Sequence, residues 1–88
     1  MKITIGKNGL HKTYQAEFPE TTSCCRCNGD ARIGFVAHEN MSDDDFVPFV
    51  CELHSNQGKG KFWLHDCCAV AIYFCEDCSK ATALYNQG

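Results

Sequence analysis

Two Cys-x-x-Cys pairs, Cys24-Cys25-Arg26-Cys27 and Cys75-Glu76-Asp77-Cys78, carry the clearest chemistry in this 88-residue chain. Two intervening residues let a tight turn bring both sulfurs to one side, close enough to share an ion at about 2.3 Å from each. Four thiolates offered as two such pairs form the standard tetrahedral zinc set, so Cys24, Cys27, Cys75 and Cys78 are the expected ligands. The first pair runs on into Asn28-Gly29, and a glycine there suits a turn that needs positive φ and a close approach of backbone to sulfur.

Two weaker pairs lie between them. Cys51-Glu52-Leu53-His54 is Cys-x-x-His and His65-Asp66-Cys67-Cys68 is His-x-x-Cys. Cys51, His54, His65 and Cys68 would make a valid second zinc set, so one Zn2+ is expected and two are allowed. Geometry argues against the second: residues three apart on a regular strand point to opposite faces. The remaining cysteines, Cys25 and Cys67, are vicinal to ligand candidates and leave open which neighbour ligates. Four thiolates also accept iron. Thiol-redox chemistry would require an exposed, low-pKa thiolate.

Eight cysteines also raise the alternative of a disulfide framework. The N-terminus Met1-Lys2-Ile3-Thr4-Ile5-Gly6-Lys7 has no apolar signal core or cleavage-site pattern, and no apolar run is long enough to span a membrane. A cytoplasmic location is therefore expected, where thiols stay reduced and clustered cysteines bind metal. Eighty-eight residues make one domain with a modest core, and structural zinc is a common remedy for such a core.

The positioning elements read as mostly antiparallel β. Residues 1–20 alternate polar and apolar around Asn8-Gly9, which predicts an N-terminal hairpin ending near Pro19. Arg32 to about His38 predicts a strand, as does Phe46 to Leu53, with Pro48 marking an edge or bulge. Ser55 to Gly60 predicts a loop and Lys61-Phe62-Trp63-Leu64 resumes β character. Cys68 to Phe74 is a short apolar run that periodicity assigns to neither strand nor helix. Residues 79–85 predict a short helix with Cys75 and Cys78 at its start, where the dipole favours thiolate. The fold class expected is α+β, a single domain over 1–88 with a hairpin over 1–20, a metal-held core over 24–78 and the helix over 79–85.

With Cys24, Cys27, Gly29, Cys75 and Cys78 in a knuckle, strands and a helix start, the span from Cys24 to Cys78 resembles the broad zinc-ribbon and treble-clef class. The 47 residues between the pairs imply more strands than a minimal ribbon has. That class includes nucleic-acid binders, protein-interaction modules and nucleases. The segment from Tyr73 to Thr82 is similar to the end of HNH-type nucleases, but Ser79 stands where those carry a histidine, and His65-Asp66 reverses their Asp-His pair.

No catalytic set assembles. The zinc-deaminase signature is absent, since His38-Glu39 lacks the intervening residue and neither Cys pair follows a proline. Phosphate-binding glycine loops and the Gly-x-Ser-x-Gly elbow are absent too. The expected function is a non-catalytic protein-interaction module built on a structural zinc. The alternative is a nucleic-acid-binding ribbon using Lys59, Lys61, Phe62 and Trp63, which a net charge of −3 disfavours. A less favoured third is a metal-dependent hydrolase with His54 and His65 on an open zinc. Asp43, Asp44 and Asp45 read as a solvated loop, because a calcium loop needs a longer, regular oxygen pattern.

Overall fold

The computed structural model describes residues 1–39, 49–53 and 66–87. Five strands form one antiparallel sheet: β1 (Lys2–Ile5), β2 (Thr21–Ser23), β3 (Asp30–His38), β4 (Cys68–Cys75) and β5 (Ala81–Gln87). The spatial order is β1-β3-β4-β5, and β2 also pairs with β3. β1 pairs with Phe35–His38 and β2 with Asp30–Arg32, so the two short strands share one edge of β3 in tandem.

No α-helix occurs among the described residues; short 3-10 turns lie at Gly6–Gly9 and Val50–Glu52. The α+β expectation is thereby corrected to all-β. The predicted helix over 79–85 is the β4–β5 turn followed by β5, paired from Phe74↔Ala81 to Cys68↔Gln87. Ala81, Ala83 and Leu84 favour helices locally, but pairing along the whole length of β4 outweighs that weak preference. The ambiguous run from Cys68 to Phe74 is a strand, buried at alternate positions in its C-terminal half.

The N-terminal hairpin is also corrected. Lys2–Ile5 is a strand, but its partner is β3, with Ile3 opposite Ala37 and Ile5 opposite Phe35. Asn8-Gly9 belongs to a 3-10 turn, and Gly9 is needed for packing: a Cβ there would meet the Val36 Cβ at 2.9 Å. Within Phe46–Leu53, residues 50–52 form a 3-10 turn where a strand was expected. Residues 46–48, 55–60 and 61–64 lie outside the described residues.

Residues 10–20 run across one face of the sheet and cover it. Phe18 and the half-buried Leu10 and Leu84 pack with Ala31, Val36, Ala69, Ala71 and Tyr73. The covering segment is tied down by its backbone and by side chains of β5. The Phe18 amide donates to the Leu10 carbonyl (3.0 Å) and the Ile33 amide to the Glu20 carbonyl (3.1 Å). The Tyr14 amide donates to the Asn86 side-chain oxygen at 3.1 Å.

Tyr73 is the largest fully buried side chain. Its hydroxyl donates to the Pro19 carbonyl at 2.6 Å, and burial raises its pKa above the ordinary value. Tyr73→Phe leaves that carbonyl without its partner and is expected to cost about 1–2 kcal/mol. Thermal unfolding followed by circular dichroism should show a midpoint lowered by roughly 5–10 °C; an unchanged midpoint would show that the bond contributes nothing net.

Candidate metal centre

The four sulfurs reach one point because two hairpin turns lie side by side. Cys24 and Cys27 sit in the turn between β2 and β3; Cys75 ends β4 and Cys78 sits in the turn to β5. The β3–β4 register sets Ala31 opposite Cys75, and the Glu76 amide donates to the Asp30 carbonyl at 3.0 Å. These contacts fix one turn against the other.

The two turns have the same build. In the first, the Cys24 amide donates to the Gly29 carbonyl (2.8 Å) and the Asn28 amide to the Cys24 carbonyl (3.1 Å). In the second, the Cys75 amide donates to the Lys80 carbonyl (2.9 Å) and the Ser79 amide to the Cys75 carbonyl (3.2 Å). The residue after the second cysteine is left-handed in both, Asn28 at φ 63° and Ser79 at φ 60°. The positive φ expected at Gly29 is thereby corrected, while the close approach expected there is observed. The positive φ belongs to Asn28, a residue type that tolerates it. Gly29 serves close approach, because a Cβ there would collide with the Asp77 carboxylate and lie 3.3 Å from the Cys27 sulfur.

Backbone amides also point at the sulfurs. The Arg26 amide lies 3.4 Å from the Cys24 sulfur and the Asp77 amide 3.3 Å from the Cys75 sulfur. The Gly29 and Lys80 amides face Cys27 and Cys78. Such donors orient thiolate ligands and offset their charge.

The Cys24 and Cys78 sulfurs are 3.6 Å apart and those of Cys27 and Cys75 3.4 Å. All four ligand atoms lie within 4.8 Å of one another. A regular tetrahedron with bonds of about 2.3 Å has edges of about 3.8 Å, whereas a disulfide needs about 2.05 Å. The spacing fits an enclosed ion, and all eight cysteines carry free thiols. Among the described residues this is the only His, Cys, Asp or Glu group spaced to hold a metal. The chain therefore has a four-cysteine centre compatible with zinc.

The candidate second set is placed only in part. Cys51 is half-buried on the Val50–Glu52 turn and Cys68 is buried at the start of β4, at the opposite end of that strand from Cys75. His54 and His65 lie outside the described residues, as do Lys59, Lys61, Phe62 and Trp63, the surface of the nucleic-acid alternative. Burial raises the Cys51 thiol pKa, with Glu39 adding to the effect. Burial and then a hydrogen bond to Glu39 push Cys68 up to about 12. Both are therefore protonated thiols at neutral pH and poor nucleophiles.

Glu39 is a residue the sequence reading missed. It is buried, and its carboxylate accepts the Val50 amide at 2.8 Å and the Cys68 amide at 2.9 Å. Its one sequence signal is an acidic residue placed where the apolar strand pattern of β3 stops. Comparison of the chain with family models, with curated proteins and with solved structures gave no match.

Protonation of the metal-free centre is uneven. The Cys27 and Arg26 amides bring Cys24 down to about 6. The Gly29 amide acts in the same direction on Cys27, but the crowding Cys75 and Cys78 side chains and burial carry it up to about 12. Cys78 is also raised: the Lys80 amide lowers it, and burial and Cys24 outweigh that amide. At neutral pH Cys24 is thus already a thiolate, while Cys27 and Cys78 must release protons when metal binds. Zinc affinity is therefore retained at high pH and lost as pH falls. With at least two protons released, the apparent association constant should rise about 100-fold per pH unit near neutrality. Competition with a chromophoric chelator at two pH values measures this, and a pH-independent affinity would exclude these thiols as ligands.

Proposed function

We propose that this protein is a zinc-stapled, non-catalytic protein-interaction module. The observation that carries the reading is the closed sulfur set: Cys24, Cys27, Cys75 and Cys78 come from two turns of the same build, with all four ligand atoms within 4.8 Å. Four thiolates fill a tetrahedral shell and leave no position for water or substrate. The paired hairpin knuckles support a ribbon-like classification. The softness of the donors supports zinc, with iron the competing occupant. The eight free thiols suit a reducing compartment such as the cytoplasm. No helix among the described residues is long and apolar enough to cross a membrane.

The second support is where the chain spends its apolar residues. The structure leaves Ile3, Ile5, Phe74 and Tyr85 exposed on strands of the sheet, a surface suited to another protein and without catalytic groups. One zinc per chain is expected by native mass spectrometry of protein purified under reducing conditions. Structural zinc contributes on the order of 10 kcal/mol of apparent folding free energy. Cys24→Ser and Cys75→Ser should therefore lose the ion and the cooperative unfolding transition, while Cys25→Ser and Cys51→Ser keep both. Metal-dependent hydrolysis of phosphodiesters or esters would refute the non-catalytic reading; two ions per chain would promote His54 and His65 to ligands and reopen the hydrolase alternative.

A further inference from the structure

Among the described residues, the face of the sheet opposite residues 10–20 is apolar from β1 to β5. Alternation along the paired strands puts Ile3 and Ile5 of β1, Phe35 and Ala37 of β3, Val70, Ile72 and Phe74 of β4, and Ala81, Ala83 and Tyr85 of β5 on that face. Every strand position between its two ends is uncharged. At one end Arg32 pairs with Glu76 at 2.9 Å. At the other, Cys68 and Gln87 are buried.

The side chains on this face are unusually open for their size. Ile3 is 62% exposed, Ile5 73%, and Phe74 and Tyr85 49% each. A monomer rarely leaves such residues contiguous, because water contact with a few hundred Å² of apolar surface marks an interaction site. The face is also ordered internally. The Phe74 ring lies over Gly34, where a Cβ would clash with it, and it sits 6.5 Å from the Phe35 ring at a tilt of 49°. A bulge at Gly34 breaks the register between Ile33 and Phe35 and so keeps Phe35 on this side.

We propose that the occupant is a second copy of this chain, the two open faces packing into a symmetric β-sandwich. The inference rests on reading the protein as an interaction module and names its partner. Area argues for a copy. The four exposed side chains alone offer roughly 500 Å². With the half-buried Phe35, Val70 and Ile72 the patch approaches the roughly 800 Å² per partner of a standard stable interface. Between its ends the described strand positions of the face are uncharged, and at its margin Arg32 pairs with Glu76 while Asp30 of β3 adds one negative charge. Two such faces stack about 10 Å apart with their strands within about 30° of alignment, and a twofold axis makes every apolar contact occur twice.

The test is sedimentation equilibrium of the zinc-loaded full chain from 1 to 100 µM, with Ile5→Asp, Tyr85→Asp and the control Lys12→Asp alongside. Ile5 and Tyr85 are exposed on edge strands, so aspartate there leaves the covered core untouched. Zinc content and circular dichroism verify the fold of each variant. A wild-type dimer is expected, with association weakened roughly 1,000-fold by either face substitution, since each appears twice in a symmetric interface and buries an unpaired carboxylate. Lys12→Asp should stay dimeric. A wild-type monomer across this range overturns the proposal, as does a dimer that survives both face substitutions. In either case the absence of hydrolytic activity would leave the module reading standing, whereas a dimer with hydrolytic activity would refute that reading alone.

Discussion

The alignment of β3 against β4 governs the rest of this molecule. It sets Ala31 opposite Cys75 and Arg32 opposite Phe74, and so decides where the two hairpin turns lie relative to each other. A slip of one residue would move one turn about 3.3 Å along the other and turn every side chain of the strand to the opposite face. Sulfurs held 3.4 and 3.6 Å apart do not survive such a shift as a tetrahedral set. An ion shared by the two turns would therefore select this register, and the register in turn brings the four sulfurs together.

Such selection matters because the core is built from small side chains. Ala31, Ala69 and Ala71 are fully buried and let residues 10–20 lie close to the sheet. Each contributes only about 0.8 kcal/mol per buried methyl-sized group. Tyr73 supplies most of the bulk, and Val36 meets Gly9 at a distance that no larger residue would permit. A core this thin defines strand order better than it holds strands together, which is where a metal staple has most effect.

The sulfur ligands were legible in the sequence because ligand spacing is a local property. Cys-x-x-Cys sets the separation of its own sulfurs whatever the surrounding fold. The strand over 30–38 was legible as well, since Ile33, Phe35, Val36 and Ala37 favour a pleated surface. The fate of 79–85 was not, because Ala81, Thr82, Ala83 and Leu84 carry no strong local preference and take their conformation from the open edge of β4. The partner of Lys2–Ile5 was hidden for a related reason. Alternation announces a strand but not the strand it pairs with, and Asn8-Gly9 imitates a hairpin turn while forming a 3-10 turn against Val36. The left-handed residues had a readable signal, the position directly after each second cysteine, but a glycine one place further on drew the assignment away from Asn28.

The strand β4 is anchored at both ends by unlike chemistry. Beyond Cys75 the anchor is the sulfur cluster. At Cys68 it is Glu39, whose backbone amide donates to the Cys68 carbonyl at 3.0 Å while its carboxylate takes the Cys68 and Val50 amides. The Tyr14 hydroxyl donates to the Glu39 carbonyl, which links the covering segment to the same point. A carboxylate here replaces the water that the buried Cys68 amide and the half-buried Val50 amide would otherwise lose, so its burial is compensated by hydrogen bonds. The consequence is a division of labour along one strand. Its ends are fixed by the Glu39 carboxylate and by the four-cysteine cluster, and Val70, Ile72 and Phe74 between them face the other side of the sheet. An apolar surface held rigid in this way needs no rearrangement to receive another, which lowers the entropic cost of association.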